Sequence, residues 1–309
     1  MRRSGALRAC AAAAVVAGVA APMVRRHITG GKVGKRTALV SALSWQAPAA
    51  LVLATKPSRA RAAAVYALQM WAYIAHYDMP DDDPDLMMRR LKVRYPITLD
   101  RLIGCGEVPT VRLQRSLGKK GRVQRHDTLL SWLHWSWFIV PHGSVAYVLW
   151  RRPERFERAA AMMAATFDAG VVTYWLVPTA PPWWAGGNGY LAPVRRIMVE
   201  AGSEFWGELW QRLYDSLGRN PFAAMPSLHF GTSVMAAHVL GEVGRKEAAL
   251  GWTYAMGLGF ALVYLGEHYV TDLVAGFALA EAVRLAAPHL APTAKAVADA
   301  LRTIAPEGA

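Results

Sequence analysis

Residues 226–287 read PSLHFGTSVMAAHVLGEVGRKEAALGWTYAMGLGFALVYLGEHYVTDLVAGFALAEAVRLAA. Three apolar runs fall inside this stretch, at 227–243, 248–266 and 269–287, parted by a few polar residues each. Each run approaches the ~20 residues that a helix needs to cross a lipid bilayer. Working outward toward the N-terminus, similar runs occur at 159–177 and 128–150, and shorter or more alanine-rich ones at 62–78, 38–54 and 6–24. The pattern predicts an all-α fold, a polytopic transmembrane helix bundle of six core spans with up to two extra N-terminal ones. The expected organisation is N-terminal membrane segments over 1–60, a transmembrane domain over 61–290 and a C-terminal tail over 291–309. Arg2, Arg3 and Arg8 followed by an Ala/Val-rich run also suit a signal peptide, but the run is long for a signal core, which favours an uncleaved span. No internal repeat is visible.

Of the 309 residues, 54% are hydrophobic and 12 are Trp, and mean hydropathy is positive. The formal charge of +13 would suggest nucleic acid in a soluble protein. Here the basic residues lie between apolar runs and no nucleic-acid-binding motif occurs, so anionic lipid and a phosphorylated substrate are the expected partners. Cys10 and Cys105 stand alone and form neither a disulfide framework nor a zinc cluster.

Two connections are long. Residues 79–126 open with Asp81, Asp82, Asp83 and Asp85 and then carry 11 Lys/Arg among intermittent apolar positions, a pattern that suits an amphipathic segment lying on the interface or a solvated basic loop. Residues 178–226 hold Pro178, Pro181, Pro182, Trp183, Trp184 and the turn signals Gly186, Gly187 and Asn220-Pro221. If each run crosses once, the segments around Pro181, His229 and His268 meet on one face. The short loops opposite carry Arg151, Arg152, Arg155, Arg158, Arg245 and Lys246. By the positive-inside rule those loops are cytoplasmic and the convergent face is outside, at the plasma membrane. The 11 basic residues of 79–126 and five more in 25–36 fall on the convergent face and argue the other way.

Three residues on that face could do chemistry together. His268 and Asp272 are four apart, so they share a helix face, and a carboxylate there can orient an imidazole as nucleophile or base. Glu267 is adjacent in sequence but points elsewhere on a helix. An ionisable pair at a span's end is costly unless it faces protein or water, although a structural His–Asp bond reads equally well. Pro226 and Ser227 suit a helix start, with Ser227 as cap, which puts His229 in the first turn beside unpaired N–H groups that bind phosphate readily. An ordinary capped helix is the plainer reading. Pro181, Pro182 and Trp183 end the fifth run as an interfacial anchor or as a stiff wall of a pocket. His134 and His142 read as core or interfacial, Asp168 as a buried polar contact, and Glu281 with Arg284 as an i,i+3 pair.

Together, Pro226-Ser227-Leu228-His229 and His268-Tyr269-Val270-Thr271-Asp272 resemble the type 2 phosphatidic acid phosphatase superfamily. Ala180-Pro181-Pro182-Trp183 and Ala224-Met225 before the first motif are similar to its inositol phosphorylceramide synthase branch, which transfers inositol phosphate between lipids. The resemblance spans about 174–280 and implies a lipid phosphatase or phosphotransferase. In it His268 is the nucleophile that becomes phosphohistidine, Asp272 its orienting carboxylate and His229 the proton donor, with no metal and no cofactor. The Lys-x6-Arg-Pro motif of the superfamily's phosphatases is absent, and Ala261 and Leu262 stand where they carry Ser-Arg. The transferases lack these residues as well. The phosphate-holding cations are therefore open, with Arg195, Arg196, Arg112 and Arg115 as candidates by location; Ser227, Pro181 and Trp183 complete the expected substrate-binding set. The implied substrate is a phospholipid or polyprenyl phosphate, and the acceptor is inositol, another alcohol or water. A metal-dependent oxidase would need clustered histidines, whereas the nine here are scattered. A proton-coupled transporter would carry inverted repeats or broken helices.

Overall fold

The computed structural model describes residues 2–29, 37–77, 84–119, 121–210, 212 and 220–304. Asp81, Asp82 and Asp83 lie outside the described residues. The chain is all-α: no strand occurs among the described residues, only three isolated bridges. The helices are α1 (Arg2–Thr29), α2 (Thr37–Ala54), α3 (Arg59–Tyr77), α4 (Pro84–Arg90), α5 (Arg94–Ile103), α6 (Pro109–Leu117), α7 (Arg125–Trp135), α8 (Val140–Arg151), α9 (Phe156–Leu176), α10 (Pro182–Gly187), α11 (Ile197–Trp206), α12 (Leu228–Gly241), α13 (Arg245–Tyr264) and α14 (Val270–Ile304).

Every apolar run coincides with helix, but not always with one helix. The run at 128–150 is broken into α7 and α8 by a short 3-10 turn at Ser136–Phe138. Pro141 explains the break, because it has no N–H to bond back to residue 137 and its ring crowds that turn. Conversely, the last helix does not stop near 287 but runs on to Ile304. One stretch among the described residues, Pro153–Leu176, is long and apolar enough to cross a membrane by length and composition. At 14 residues, α12 spans only about 21 Å.

The core sits where α12 packs against α8, α9, α13 and α14. Phe167 and Met163 of α9, Val234 and Met235 of α12, and Leu258 and Leu262 of α13 are almost wholly buried there. On the flank α1 lies on α2 and α2 on α3, and α3 joins the core through Tyr73, whose ring is 4.6 Å from that of Phe167.

Small residues set the closest contact. A Cβ on Gly276 would stand 2.4 Å from the carbonyl oxygen of Ser227, and one on Gly231 would stand 2.8 Å from that of Gly276. The backbones of α12 and α14 therefore touch, and the Ser227 N–H donates to the Asp272 carbonyl at 2.9 Å. On the other side, Leu228 fills the space a side chain on Gly170 of α9 would take.

Gly276→Ala is expected to force α12 and α14 apart at a cost of about 1–3 kcal/mol, the usual penalty of overpacking. Gly187→Ala, where nothing lies within 4 Å of the added carbon, serves as the control. Thermal unfolding of the two purified variants checks this; equal midpoints would mean the helix contact is not tight.

Candidate active site

A cavity of about 510 Å³ opens between α3, α7, α9 and the loops before α12 and α14. One end is polar, with His134, Arg196, His229, Glu267 and His268 in its wall; the rest is aromatic and aliphatic, including Tyr73, Trp137, Phe138 and Phe167.

His229 is placed by the start of α12. Ser227 caps that helix, its Oγ accepting the Phe230 N–H at 3.2 Å. The Tyr174 hydroxyl donates to the Pro226 carbonyl at 2.8 Å and accepts from the Leu228 N–H at 3.3 Å, clamping the turn onto α9. The His229 ring then packs on Trp137, with centroids 4.3 Å apart. His268 is placed by the turn before α14. Gly266 makes that turn with φ of +86°, in a spot where a side chain would also strike the Arg195 carbonyl, so glycine is required twice over. Asp272 Oδ2 accepts the Tyr269 N–H at 2.9 Å and lies 3.3 Å from His268 Nδ1. The first two N–H groups of α14, on Val270 and Thr271, donate to the carboxylate of Asp100 on α5 at 3.0 and 2.8 Å.

The outcome is a chain of three groups. Asp272 faces His268 Nδ1, and His268 Nε2 faces His229 Nδ1 at 3.2 Å. With the Nδ1 proton directed at the carboxylate, Nε2 carries the lone pair. His268 is 4% exposed and lines the cavity, and Asp272 lies fully buried behind it. This arrangement can present a nitrogen nucleophile at one position and a proton carrier beside it.

Loops close the polar end. Residues 178–180 are laced between Lys92 and residues 222–224: Lys92 N donates to the Pro178 carbonyl at 2.8 Å, and Thr179 N to that of Phe222 at 2.9 Å. Trp183 N donates to the Gly266 carbonyl at 3.1 Å, which brings the proline-tryptophan segment against the His268 turn. Arg196 lies over the Trp183 ring, 4.1 Å from its centroid, and makes two hydrogen bonds to Glu267, of 2.9 and 3.0 Å.

The structure thus brings together His229, His268, Asp272, Pro181, Trp183 and Arg196, and separates others from them. Arg195, expected at the phosphate, turns away to Glu200 and to the carbonyls of Lys119 and Arg122. Its direction is the opposite of its neighbour's because Gln114 clamps the intervening backbone, bonding both the N–H and the carbonyl of Arg195. Arg112 and Arg115 pair with Glu107 outside the cavity, and Arg115 beside that carboxylate holds it below the usual range. Ser227 is wholly buried and spent as a cap. At the start of α12 the N–H groups of Leu228, Phe230 and Gly231 have partners within the protein, while that of His229 has none among the described residues. Asp168 is a half-buried polar contact, accepting from Gln69 at 2.7 Å, and Glu281 pairs with Arg284 and also with His238. Sequence reasoning missed four residues: Tyr174, Asp100, Glu267 as a cavity group, and His134. His134 stands 4.9 Å from His229 between ring centroids. Only the polarity of Asp100 within an apolar face, and of His134 within an apolar run, could have flagged them.

The family profile of the PAP2 superfamily matches residues 116–286, which contain His229, His268, Asp272, Trp183 and Arg196, while α3, Lys92, α5 and Gln114 precede it. The chain belongs to the PAP2 superfamily. Over 117 residues it is 31% identical to the phosphoinositol dihydroceramide synthase of Bacteroides thetaiotaomicron, covering 36% of this chain and 38% of that protein. Over 116 residues it is 28% identical to the inositol phosphorylceramide synthase catalytic subunit of Schizosaccharomyces pombe, covering 36% of this chain and 28% of that one. The chain thus matches well under half the length of either relative. No solved structure matches.

Asp100→Ala is expected to destabilise the protein by about 0.5–2 kcal/mol, the usual worth of a side-chain cap, with Asp100→Asn closer to wild type. Thermal unfolding of both variants tests this; no difference from wild type in Asp100→Ala would mean that water replaces the cap fully.

Proposed function

We propose that this PAP2 superfamily member is a membrane-embedded phosphotransferase that moves a phospho-alcohol group, such as inositol phosphate, from a phospholipid to a lipid alcohol through phosphohistidine. The observation that carries the reading is the chain Asp272–His268–His229, with the lone-pair nitrogen of one imidazole 3.2 Å from the other at the polar end of an otherwise apolar cavity. In the first step His268 Nε2 attacks phosphorus while Asp272 stabilises the growing charge on the ring. The bond from phosphorus to the lipid oxygen breaks, and His229 gives that oxygen a proton. In the second step the acceptor hydroxyl gives its proton to His229 as its oxygen bonds phosphorus, and the P–N bond breaks to restore His268.

A transferase acting on a phosphodiester is favoured over a phosphatase by the charge of the cavity. Arg196 is the one Lys or Arg side chain among its described lining residues, and Glu267 already shares it. A diester brings one negative charge; a phosphate monoester brings nearly two at neutral pH and would ask more of a single shared guanidinium. The names of the two relatives point the same way, to inositol phosphate and a ceramide-type alcohol.

The membrane setting is supported by large apolar side chains left on outer helix faces, among them Trp150, Leu176, Leu250 and Met256, each more than 60% exposed. The turns carrying Arg155, Arg158 and Glu242 lie side by side, Arg155 donating to the Glu242 carbonyl at 2.9 Å. With Arg245 and Lys246 next to them they form a basic end opposite His268, which is the cytoplasmic one by the positive-inside rule.

Purified protein is to be incubated with radiolabelled phosphatidylinositol and ceramide, and separately with phosphatidic acid and a polyprenyl phosphate. Wild type is expected to yield the ceramide product and an acid-labile label on His268. His268→Ala is expected to lose both, and Asp272→Asn to slow turnover by roughly 10²-fold or more. His229→Ala is expected to lose about 10²–10⁴-fold on the lipid but far less on an aryl phosphate, whose oxygen leaves unaided. Release of phosphate from the monoesters with no transfer to ceramide would make the protein a phosphatase instead.

Sidedness has its own measurement. Single cysteines at exposed Gly187 and Lys246, in a chain lacking Cys10 and Cys105, are to be treated with an impermeant thiol reagent on intact cells. Labelling at 187 alone is expected; labelling at 246 alone would invert the orientation.

A further inference from the structure

His134 is a polar side chain of the cavity that the proposed mechanism leaves unused. It is 4% exposed, it lines the cavity, and neither ring nitrogen has a hydrogen-bond partner among the described residues. A histidine packed into a core normally donates from one nitrogen and accepts at the other, and burying both unmet forfeits their hydration. His142, also in the cavity wall, has a partner for one nitrogen, its Nδ1 lying 2.9 Å from the Tyr66 hydroxyl. Next to His134, Trp135 Nε1 is likewise buried and unpartnered, and Trp135 also lines the cavity. One turn of α7 therefore brings two sets of unmet hydrogen-bonding atoms to the wall beside the reacting groups.

His134 is not a further link in the proton chain. Its ring lies against the face of His229, planes 32° apart, while His229 Nδ1 is turned to His268. A neutral imidazole offers one donor and one acceptor, and a hydroxyl group offers the same pair in return. Resting on the proposed transferase reading, we propose that His134 is a specificity-determining contact that hydrogen-bonds an alcohol hydroxyl of the substrates. By the same contact it holds the site for alcohols against water. That hydroxyl belongs either to the polyol head group on phosphorus or to the acceptor, two sources with one chemistry. A site built to bond a hydroxyl penalises ligands that lack it, because its own polar atoms then stay unmet.

The competing explanation is that His134 merely packs on His229, and two substitutions separate them. His134→Phe keeps a flat ring against His229 and removes both nitrogens; His134→Gln keeps a donor and an acceptor and loses the ring. Two ratios are to be measured with full-length protein: kcat/KM for phosphatidylinositol over that for phosphatidic acid, and ceramide transfer over hydrolysis. His134→Phe is expected to lower at least one ratio by about tenfold or more, with partial recovery in His134→Gln. A fall in the first ratio puts the hydroxyl on the head group, and a fall in the second puts it on the acceptor. Both ratios within about twofold of wild type in His134→Phe would overturn the inference, as would a loss in His134→Gln that His134→Phe does not share.

Wild-type protein supplies an arm that depends neither on folding of the variants nor on turnover. Diethyl pyrocarbonate modification of the His134 peptide, followed by mass spectrometry, is expected to slow when myo-inositol or ceramide is present. Protection by neither would overturn the contact. If wild type forms no phosphohistidine and no product, the transferase reading falls by itself, while protection of His134 still decides whether this wall binds a hydroxyl.

Discussion

The distance between His229 and His268 depends on a contact with no side chain in it. Where α12 crosses α14, Gly231 and Gly276 let the two backbones meet, and the Ser227 N–H reaches the Asp272 carbonyl across the gap. Small residues at such crossings permit an approach that any Cβ would prevent. Each histidine sits within a few residues of that crossing, so the 3.2 Å between their nitrogens is inherited from main-chain geometry. Flexible side chains could reach the same distance, but with rotamer freedom that would have to be frozen at each turnover. The third body is α9, whose Gly170 accepts Leu228 and whose Tyr174 holds both sides of the Pro226–Leu228 turn. Three helices thus register at one point.

A consequence follows for how an anion can be held. Starts of helices attract phosphate through unpaired N–H groups, and two helices begin beside this cavity. Yet most of their donors are consumed: Tyr174 and Ser227 take those of Leu228 and Phe230 on α12, leaving that of His229, and Asp272 and Asp100 take those of Tyr269, Val270 and Thr271 at the start of α14. These bonds rigidify the histidines at the expense of anion binding. The positive charge of the cavity then comes chiefly from Arg196, aligned by stacking on Trp183 and by two bonds to Glu267. An arginine so tethered is pre-organised, but its charge is partly spent before any ligand arrives.

What the sequence reveals and what it hides divide along range of interaction. Helices follow local periodicity, so each apolar run is recognisable; the i,i+4 relation of His268 and Asp272 and the Ser227 cap are local too, and they read directly. The break at Ser136–Phe138 is local as well, and Pro141 signals it, but an apolar run overrides that signal when length alone is counted. The fates of Arg195 and Arg196 could not be read in this way. The two are adjacent and chemically identical, and they part because Gln114, far away in the chain, clamps the backbone between them. His134 hides for the same reason, since its place against His229 is set by the packing of α7 on α11 and α13 and leaves no spacing to find.

The long basic connection shows how much a loop-like pattern can contain. Read along the chain, residues 84–117 suit an amphipathic segment on the interface or a solvated basic loop; folded, they are α4, α5 and α6. On α5 the exposed face carries Leu99, Leu102 and Ile103 beside Arg101, while Asp100 turns inward, wholly buried. That one inward carboxylate bonds the N–H groups of Val270 and Thr271 and the Thr271 hydroxyl, fixing the first turn of α14. Since Asp272 is part of that same turn, the orientation of the His268 imidazole rests in part on a helix whose opposite face is apolar and uncovered. Burying that face in lipid would favour the position of α5 that presents Asp100 to α14, because both need the same rotation of a short helix. A segment that reads as an interface-lying stretch or a solvated loop is therefore joined to His268 by two hydrogen-bonded steps, from Asp100 to the start of α14 and from Asp272 to His268.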